Sequence, residues 1–171
     1  MHIKEVARKN ENAVLCRECG GYCCKASPCK YYPDDFGIPR TFEAILEKIH
    51  SGKATLMRFE EGTTRILTSR TRDSDGGVDI IRKEEWVLNG GKMPFLRECA
   101  LLTPTGCSLS LAERPSGGAL FVPHFVDGVR KCYLPNVVDF EAECLDGCYQ
   151  RLLLELEYHL LAEMGKSPSL L

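Results

Sequence analysis

The sequence predicts an α+β protein: a small, irregular, metal-stapled domain with a short antiparallel sheet, a helix near 41–51 and a long C-terminal helix near 146–164. Three observations carry that expectation. Apolar residues recur at helical spacing in two stretches, and strand-like runs broken by turn residues fill residues 54–82. Ten cysteines gather in clusters instead of scattering.

A chain of 171 residues with no repeat or low-complexity tract reads as one cysteine-rich metal-binding domain, 1–171. The formal net charge is −2 and no basic run stands out, which argues against nucleic acid as a partner. No apolar run approaches the roughly 20 residues that cross a bilayer, so no membrane partner is expected either. The N-terminus is charged throughout and has no apolar signal core. The expected compartment is therefore the cytoplasm, where thiols stay reduced and clustered cysteines serve metals or catalysis.

Taken in order, residues 1–15 read as a short helix or arm, with Ile3, Val6, Ala7, Val14 and Leu15 apolar. The cluster Cys16-Arg17-Glu18-Cys19-Gly20-Gly21-Tyr22-Cys23-Cys24 must be loop, its two glycines supplying positive-φ turns that let backbone wrap closely around an ion. Ser27-Pro28 and Tyr32-Pro33-Asp34-Asp35 prolong the irregular path. A helix follows, with Thr41 as N-cap, Phe42, Ile45, Leu46 and Ile49 at i, i+3, i+4, i+7, and Gly52 just past its end. Ala54–Phe59 and Thr63–Arg70 read as strands joined at Glu60-Glu61-Gly62, and Val78–Arg82 as a third. Lys83–Gly91 contains the single tryptophan, Trp86, expected in a core or lid.

In the second thiol region, Thr103-Pro104-Thr105-Gly106 is a turn that folds Cys107 back toward Cys99. Ser108–Arg114 reads as one helical turn stopped by Pro115, Ser116-Gly117-Gly118 as flexible, and Leu120–Phe125 as a strand. Asp127-Gly128 is a tight turn before Cys132. The last helix has Leu145, Tyr149, Leu152, Leu153, Leu156, Leu160 and Met164 as its apolar stripe, Asp146 as the expected start, and Gly165 and Pro168 as stops. Cys144 and Cys148 share a face if the helix begins earlier, and Cys148 is expected as a buried small hydrophobe.

Two chemistries fit the thiols. A zinc site takes four ligands, commonly as short-spaced pairs far apart in sequence. Cys16-x2-Cys19 is one such pair, and Cys99, Cys107 and Cys132 can complete the sphere. The adjacent Cys23-Cys24 fits one tetrahedral ion less well, because neighbouring side chains point apart. Vicinal thiols suit a multinuclear centre, and iron–sulfur clusters are likewise held by thiolates. Sulfur ligation alone does not separate zinc from iron–sulfur. Disulfide bonding is a third reading, and requires an export signal absent from this sequence. Of the cations beside the thiols, Arg17, Lys25 and Lys131 read as solvated surface. Arg114 is the exception, since its guanidinium fork can donate to ligand sulfurs and tune the centre. His2, His50, His124 and His159 are scattered and read as surface or core residues.

The spacing Cys16-x2-Cys19-x3-Cys23-Cys24, then Cys99, then Gly106-Cys107-Ser108-Leu109 and Glu113-Arg114-Pro115, resembles the zinc- or iron-chelating family described as YkgJ-type, over roughly residues 14–135. The resemblance implies metal ligation by Cys16, Cys19, Cys23, Cys24, Cys99, Cys107 and a cysteine soon after the Arg-Pro. This chain departs there: Gly118 stands where that cysteine is expected, and Cys132 is the substitute or the next cysteine in the pattern. A related group, the flagellin lysine N-methylases, carries a similar cluster, which keeps a modifying-enzyme role open beside the redox role of an iron–sulfur centre. The sequence has no Gly-rich nucleotide loop to accompany it. The alternative is a zinc-stapled accessory module without catalysis that binds a protein or peptide partner. Cys29 and Cys144, like Cys148, read as a second site, reactive thiols or buried small hydrophobes, the last being the reading for Cys148.

Overall fold

The computed structural model describes residues 14, 17–18, 20–21, 24–25, 28–37, 39–59, 63–72, 74, 77–81, 98–110, 112–119, 122–133 and 146–166. Most of the N-terminal arm, Cys16, Cys19, Cys23, His2, Trp86, Cys144, Leu145 and Pro168 lie outside them. The fold is a small mixed α+β one: a three-stranded sheet, two hairpins and two substantial helices.

A 3₁₀ turn at Pro33–Phe36 leads into helix α1, Phe42–His50. As expected, Thr41 caps α1, its hydroxyl accepting the Ala44 amide at 3.2 Å, and Ile45 and Ile49 face inward. Strands β1 (Ala54–Phe59) and β2 (Arg65–Ser69) pair antiparallel, with Ala54 opposite Ser69 and Arg58 opposite Arg65. Strand β3 (Gly77–Ile81) completes a sheet of order β2-β1-β3.

The third strand departs from an all-antiparallel expectation, because β3 runs parallel to β1. The physical reason lies in β2, which carries the chain back to the start of β1: Ser69 is opposite Ala54, and β3 begins at that same end with Gly77 opposite Thr55. Asp79 on β3 ties in the described residues after β2, its carboxylate accepting the Ser74 hydroxyl at 3.1 Å and the Thr71 hydroxyl at 3.2 Å.

Strands β4 (Leu102–Thr103) and β5 (Gly106–Cys107) form the small hairpin predicted around Pro104. One helical turn over Ser110–Arg114 follows, and then the short helix α2, Ser116–Ala119. Strands β6 (Val122–Val126) and β7 (Val129–Tyr133) make the second hairpin. Asp127 and Gly128 both have positive φ, 52° and 74°, which is the tight turn whose twist matches paired strands.

Helix α3, Gly147–Glu163, starts where expected: the Asp146 side chain accepts the Cys148 amide at 3.1 Å. Tyr149, Leu153, Leu156 and Leu160 face a core shared with Tyr31, Ile45, Ile49, Leu56, Leu67 and Val78. Each fully buried leucine contributes about 1.5–3 kcal/mol. Cys148, expected inside, is exposed. It sits in the first turn, one residue round from Tyr149, on the face turned away from the core, while Gln150 beside it joins the main chain of Arg65 in β2 at 2.9 and 2.8 Å.

Glu157 is buried on that stripe, fully withdrawn from water, between two guanidinium groups that face each other across β1 and β2. Arg58 Nε reaches its carboxylate at 2.7 Å, and Arg65 Nε binds the other oxygen. The triad pins α3 over the sheet, and it carries no signature of metal or catalysis. One face of β2 thus presents Arg65 to the ion pair, Leu67 to the core and Ser69 to the thiols, the period-two alternation of a strand.

Candidate metal centre

Strand β2 and its continuation position the thiol segments. On the free edge of β2, Tyr31 N–H donates to Leu67 O at 2.8 Å and Ser69 N–H to Cys29 O at 2.7 Å, so residues 29–31 extend the sheet. Beyond the strand's end, Arg72 N–H donates to Glu98 O at 2.9 Å and Ala100 N–H to Arg70 O at 2.8 Å, which fixes Cys99. Cys99 N–H in turn donates to Cys24 O at 2.9 Å. Cysteines far apart in sequence are therefore fastened by main-chain bonds to one strand.

Cys24, Cys29 and Cys99 are all buried and form a cluster closed by Leu102 and flanked by Leu101. Cys107, on β5 opposite Leu102, is half-buried close by. Gly20 and Gly21 have the expected positive φ, 64° and 75°, but Arg17, Glu18, Cys24 and Lys25 on either side are helical, so the described part of the segment is not the continuous loop expected.

Ser69 was not foreseen. Its hydroxyl accepts the Cys29 amide at 2.9 Å and lies 3.4 Å from Cys99 Sγ. Against a neutral thiol it accepts a second bond; against a thiolate its own proton turns toward the sulfur. The sequence signal was present: Thr68-Ser69 is a polar pair in a strand otherwise made to be buried.

Arg114 lies near Cys107 and donates from Nε to Leu109 O at 3.2 Å. Burial pushes the Cys107 thiol above its ordinary value, and Arg114 opposes that rise. Lys53 Nζ holds the preceding residue, Glu113, at 2.8 Å, with Ser110 Oγ donating to the same carboxylate at 2.8 Å. Glu113 is thereby lowered to about 2. Arg17 and Lys25 are exposed, as read from the sequence. Tyr31 is buried beside the cluster, its hydroxyl donating to Lys53 O at 3.4 Å. Burial raises its pKa well above the ordinary value, and Asp35, Cys99, Cys107 and Cys29 add to the rise.

The structure thus brings together Cys24, Cys99 and Cys107 of the predicted ligands, with Arg114. It places Cys132 on β7 opposite Pro123. Cys16, Cys19 and Cys23 lie outside the described residues. Among the described residues no three Cys, His, Asp or Glu side chains close on one point as a metal sphere. What the described residues do show is three buried thiols, with a fourth, half-buried, on β5. His50 and His159 play no part, both pairing with Glu163 at the protein surface, at 3.0 and 3.2 Å.

Ser116-Gly117-Gly118, expected to be flexible, is a packed helical turn. Ser116 Oγ donates to Asp35 at 2.5 Å, and Gly117 N–H donates to Lys30 O at 3.0 Å. A Cβ on Gly117 would stand 2.6 Å from Lys30 O, and one on Gly118 would stand 2.8 Å from Cys29 Sγ. The glycines permit close approach here and confer no looseness.

No helix among the described residues is long and apolar enough to cross a membrane. Comparison with known proteins finds no matching family model, no matching curated protein and no matching solved structure.

Proposed function

We propose that this protein is a thiolate-ligated metal-centre protein, holding an iron–sulfur cluster or zinc and working in the cytoplasm, where its thiols stay reduced. The observation that carries the reading is the fastening of Cys24, Cys29 and Cys99 around Ser69 and the end of β2. Main-chain bonds from separate segments hold three buried thiols in one cluster. The remaining donors we assign to Cys16, Cys19 and Cys23, which precede Cys24 in the sequence, and to Cys107 near Arg114. An iron–sulfur cluster is favoured over a single ion by the vicinal Cys23-Cys24 pair. When bound, the group supplies electron transfer if it is a cluster, or folding free energy if it is zinc. The chain's own residues shield it and hydrogen-bond its sulfurs.

Purification without oxygen, followed by iron, sulfide and zinc analysis, tests the proposal. A brown protein with iron and acid-labile sulfide supports the cluster. Stoichiometric zinc in a colourless protein supports the accessory-module alternative, and a protein that takes up neither metal overturns both.

A further inference from the structure

We infer that Cys24 and Cys99 are the two halves of a reversible disulfide, formed when a hydroperoxide reaches the site and undone by small thiols. The inference needs two sulfurs and no metal, so it goes beyond the metal-centre reading and does not rest on it. Both residues are thiols in this structure, buried in one cluster with Cys29 and Leu102. Transient, redox-sensing disulfides are the kind that a reducing compartment permits.

The main chain sets their spacing. Cys99 N–H donates to Cys24 O at 2.9 Å. A direct main-chain bond of that kind holds two Cα atoms roughly 5–6 Å apart, inside the range of about 4.4–6.8 Å that disulfides span. Both partners are themselves held. Lys25 N–H donates to Gly21 O at 3.1 Å, which fixes the turn that carries Cys24. The bonds from Arg72 to Glu98 and from Ala100 to Arg70 fix Cys99.

Cys29 is the rival partner, because the Ser69 hydroxyl accepts its amide and also touches Cys99 Sγ. The strand rules it out. Ser69 N–H points to Cys29 O along one edge of β2, whereas Arg70 O takes the Ala100 amide along the other. Cys29 and Cys99 thus stand two strand spacings apart, about 9–10 Å, too far for a bridge unless main chain moves.

Burial orders the chemistry. Cys24 is 7% exposed and Cys99 only 2%, so Cys24 is the sulfur that the oxidant reaches first. Its Sγ attacks one peroxide oxygen, the O–O bond breaks, and the other oxygen departs with the thiol proton as water or an alcohol. Cys24 is then a sulfenic acid. Cys99 Sγ attacks that sulfur, the S–O bond breaks, and the hydroxyl leaves with the Cys99 proton as water. Two electrons pass from the thiol pair to the hydroperoxide. Ser69 Oγ, 3.4 Å from Cys99 Sγ, is placed to donate to the thiolate that makes the second attack.

The test treats the whole chain, purified without oxygen, with a few equivalents of hydrogen peroxide. The peroxide is then removed, remaining thiols are alkylated in urea, and the digest is mapped by mass spectrometry. The expected result is a peptide pair joined through Cys24 and Cys99 as the main cross-link. It should vanish on treatment with dithiothreitol, and the oxidised chain should keep its far-ultraviolet dichroism. Cys99→Ser should instead leave a Cys24 sulfenic acid that dimedone labels, and Cys24→Ser should leave Cys99 as an alkylatable thiol. If either variant fails to fold, the map of the natural chain decides alone. A main cross-link between other cysteines overturns the inference, as does a Cys24–Cys99 link that forms only when peroxide is added to chain already unfolded in urea. Peroxide treatment that leaves both thiols fully alkylatable overturns it too. None of these readouts counts metal, so failure here leaves the metal-centre reading to its own metal analysis.

Discussion

Ser69 Oγ lies 3.4 Å from Cys99 Sγ, a contact between residues thirty apart in sequence, and the same oxygen accepts the Cys29 amide at 2.9 Å. Replacing Ser69 by Ala strands that buried amide, at a cost of about 1–3 kcal/mol. Under the proposed metal centre it also removes the donor that a Cys99 thiolate would face, and metal retention should then fall by about tenfold or more. Urea unfolding of the metal-free and metal-loaded forms separates the two effects. A loss of equal size in both forms would show that Ser69 serves the fold alone.

Glu157 neutralises part of the charge of Arg58 and Arg65, which lie directly opposite each other on β1 and β2. Glu157→Leu leaves two guanidinium groups in the interior, and should cost about 3–5 kcal/mol. Converting all three residues to well-packed apolar side chains should return most of that stability. Chemical denaturation of the single and triple variants measures the difference, and a neutral single variant would show that the charges are solvated.

Two glycine substitutions should act in opposite directions. Gly117→Ala drives a Cβ to 2.6 Å from the Lys30 carbonyl oxygen, and a main-chain neighbour cannot swing aside. A loss of about 1–3 kcal/mol is expected. Gly147, in the first turn of α3, has open space where its Cβ would go. Gly147→Ala should therefore stabilise by about 0.4–1 kcal/mol. Paired thermal melts of the two variants check both signs.

The Glu113 carboxylate is lowered from 4.5 to about 2, first by the hydrogen bond from Lys53 and then by that from Ser110. Its folded value lies below its unfolded one, so what the pair adds to stability is complete above pH 4.5. That contribution is lost as pH falls toward about 2. The group is at the surface and the stability effect is small, so the direct measurement is a carboxyl titration by NMR. Lys53→Met should move the Glu113 midpoint back toward 4.5. An unmoved midpoint would mean that Lys53 does not hold the turn that carries Arg114.

What the sequence made legible was local. Thr41 and Asp146 announce their helices because a cap needs only a side chain and an amide close along the chain. Asp127-Gly128 announces its hairpin because both residues tolerate positive φ. The direction of β3 was not legible, since it depends on where β2 deposits the chain and not on any residue in β3. Glu157 had a readable signal: Leu153, Leu156, Glu157 and Leu160 fall at i, i+3, i+4 and i+7, which puts the carboxylate on the buried face. Gly117-Gly118 misled because two glycines look the same whether they give freedom or allow contact. Within the site, the thiols and Arg114 could be singled out, whereas the contact of Cys29 with position 118 is visible only once distant segments meet.

The pairing of residues 29–31 along β2 has a consequence for how the protein ages. Those residues occupy the hydrogen-bonding groups on the outer side of an edge strand. Anything that loosens them uncovers a ready template for another chain. Protein oxidised at Cys29 should accordingly associate edge to edge and precipitate before its helices melt, so that light scattering rises ahead of the change in far-ultraviolet dichroism. Shelf life, on this view, is a property of the segment that carries the thiol.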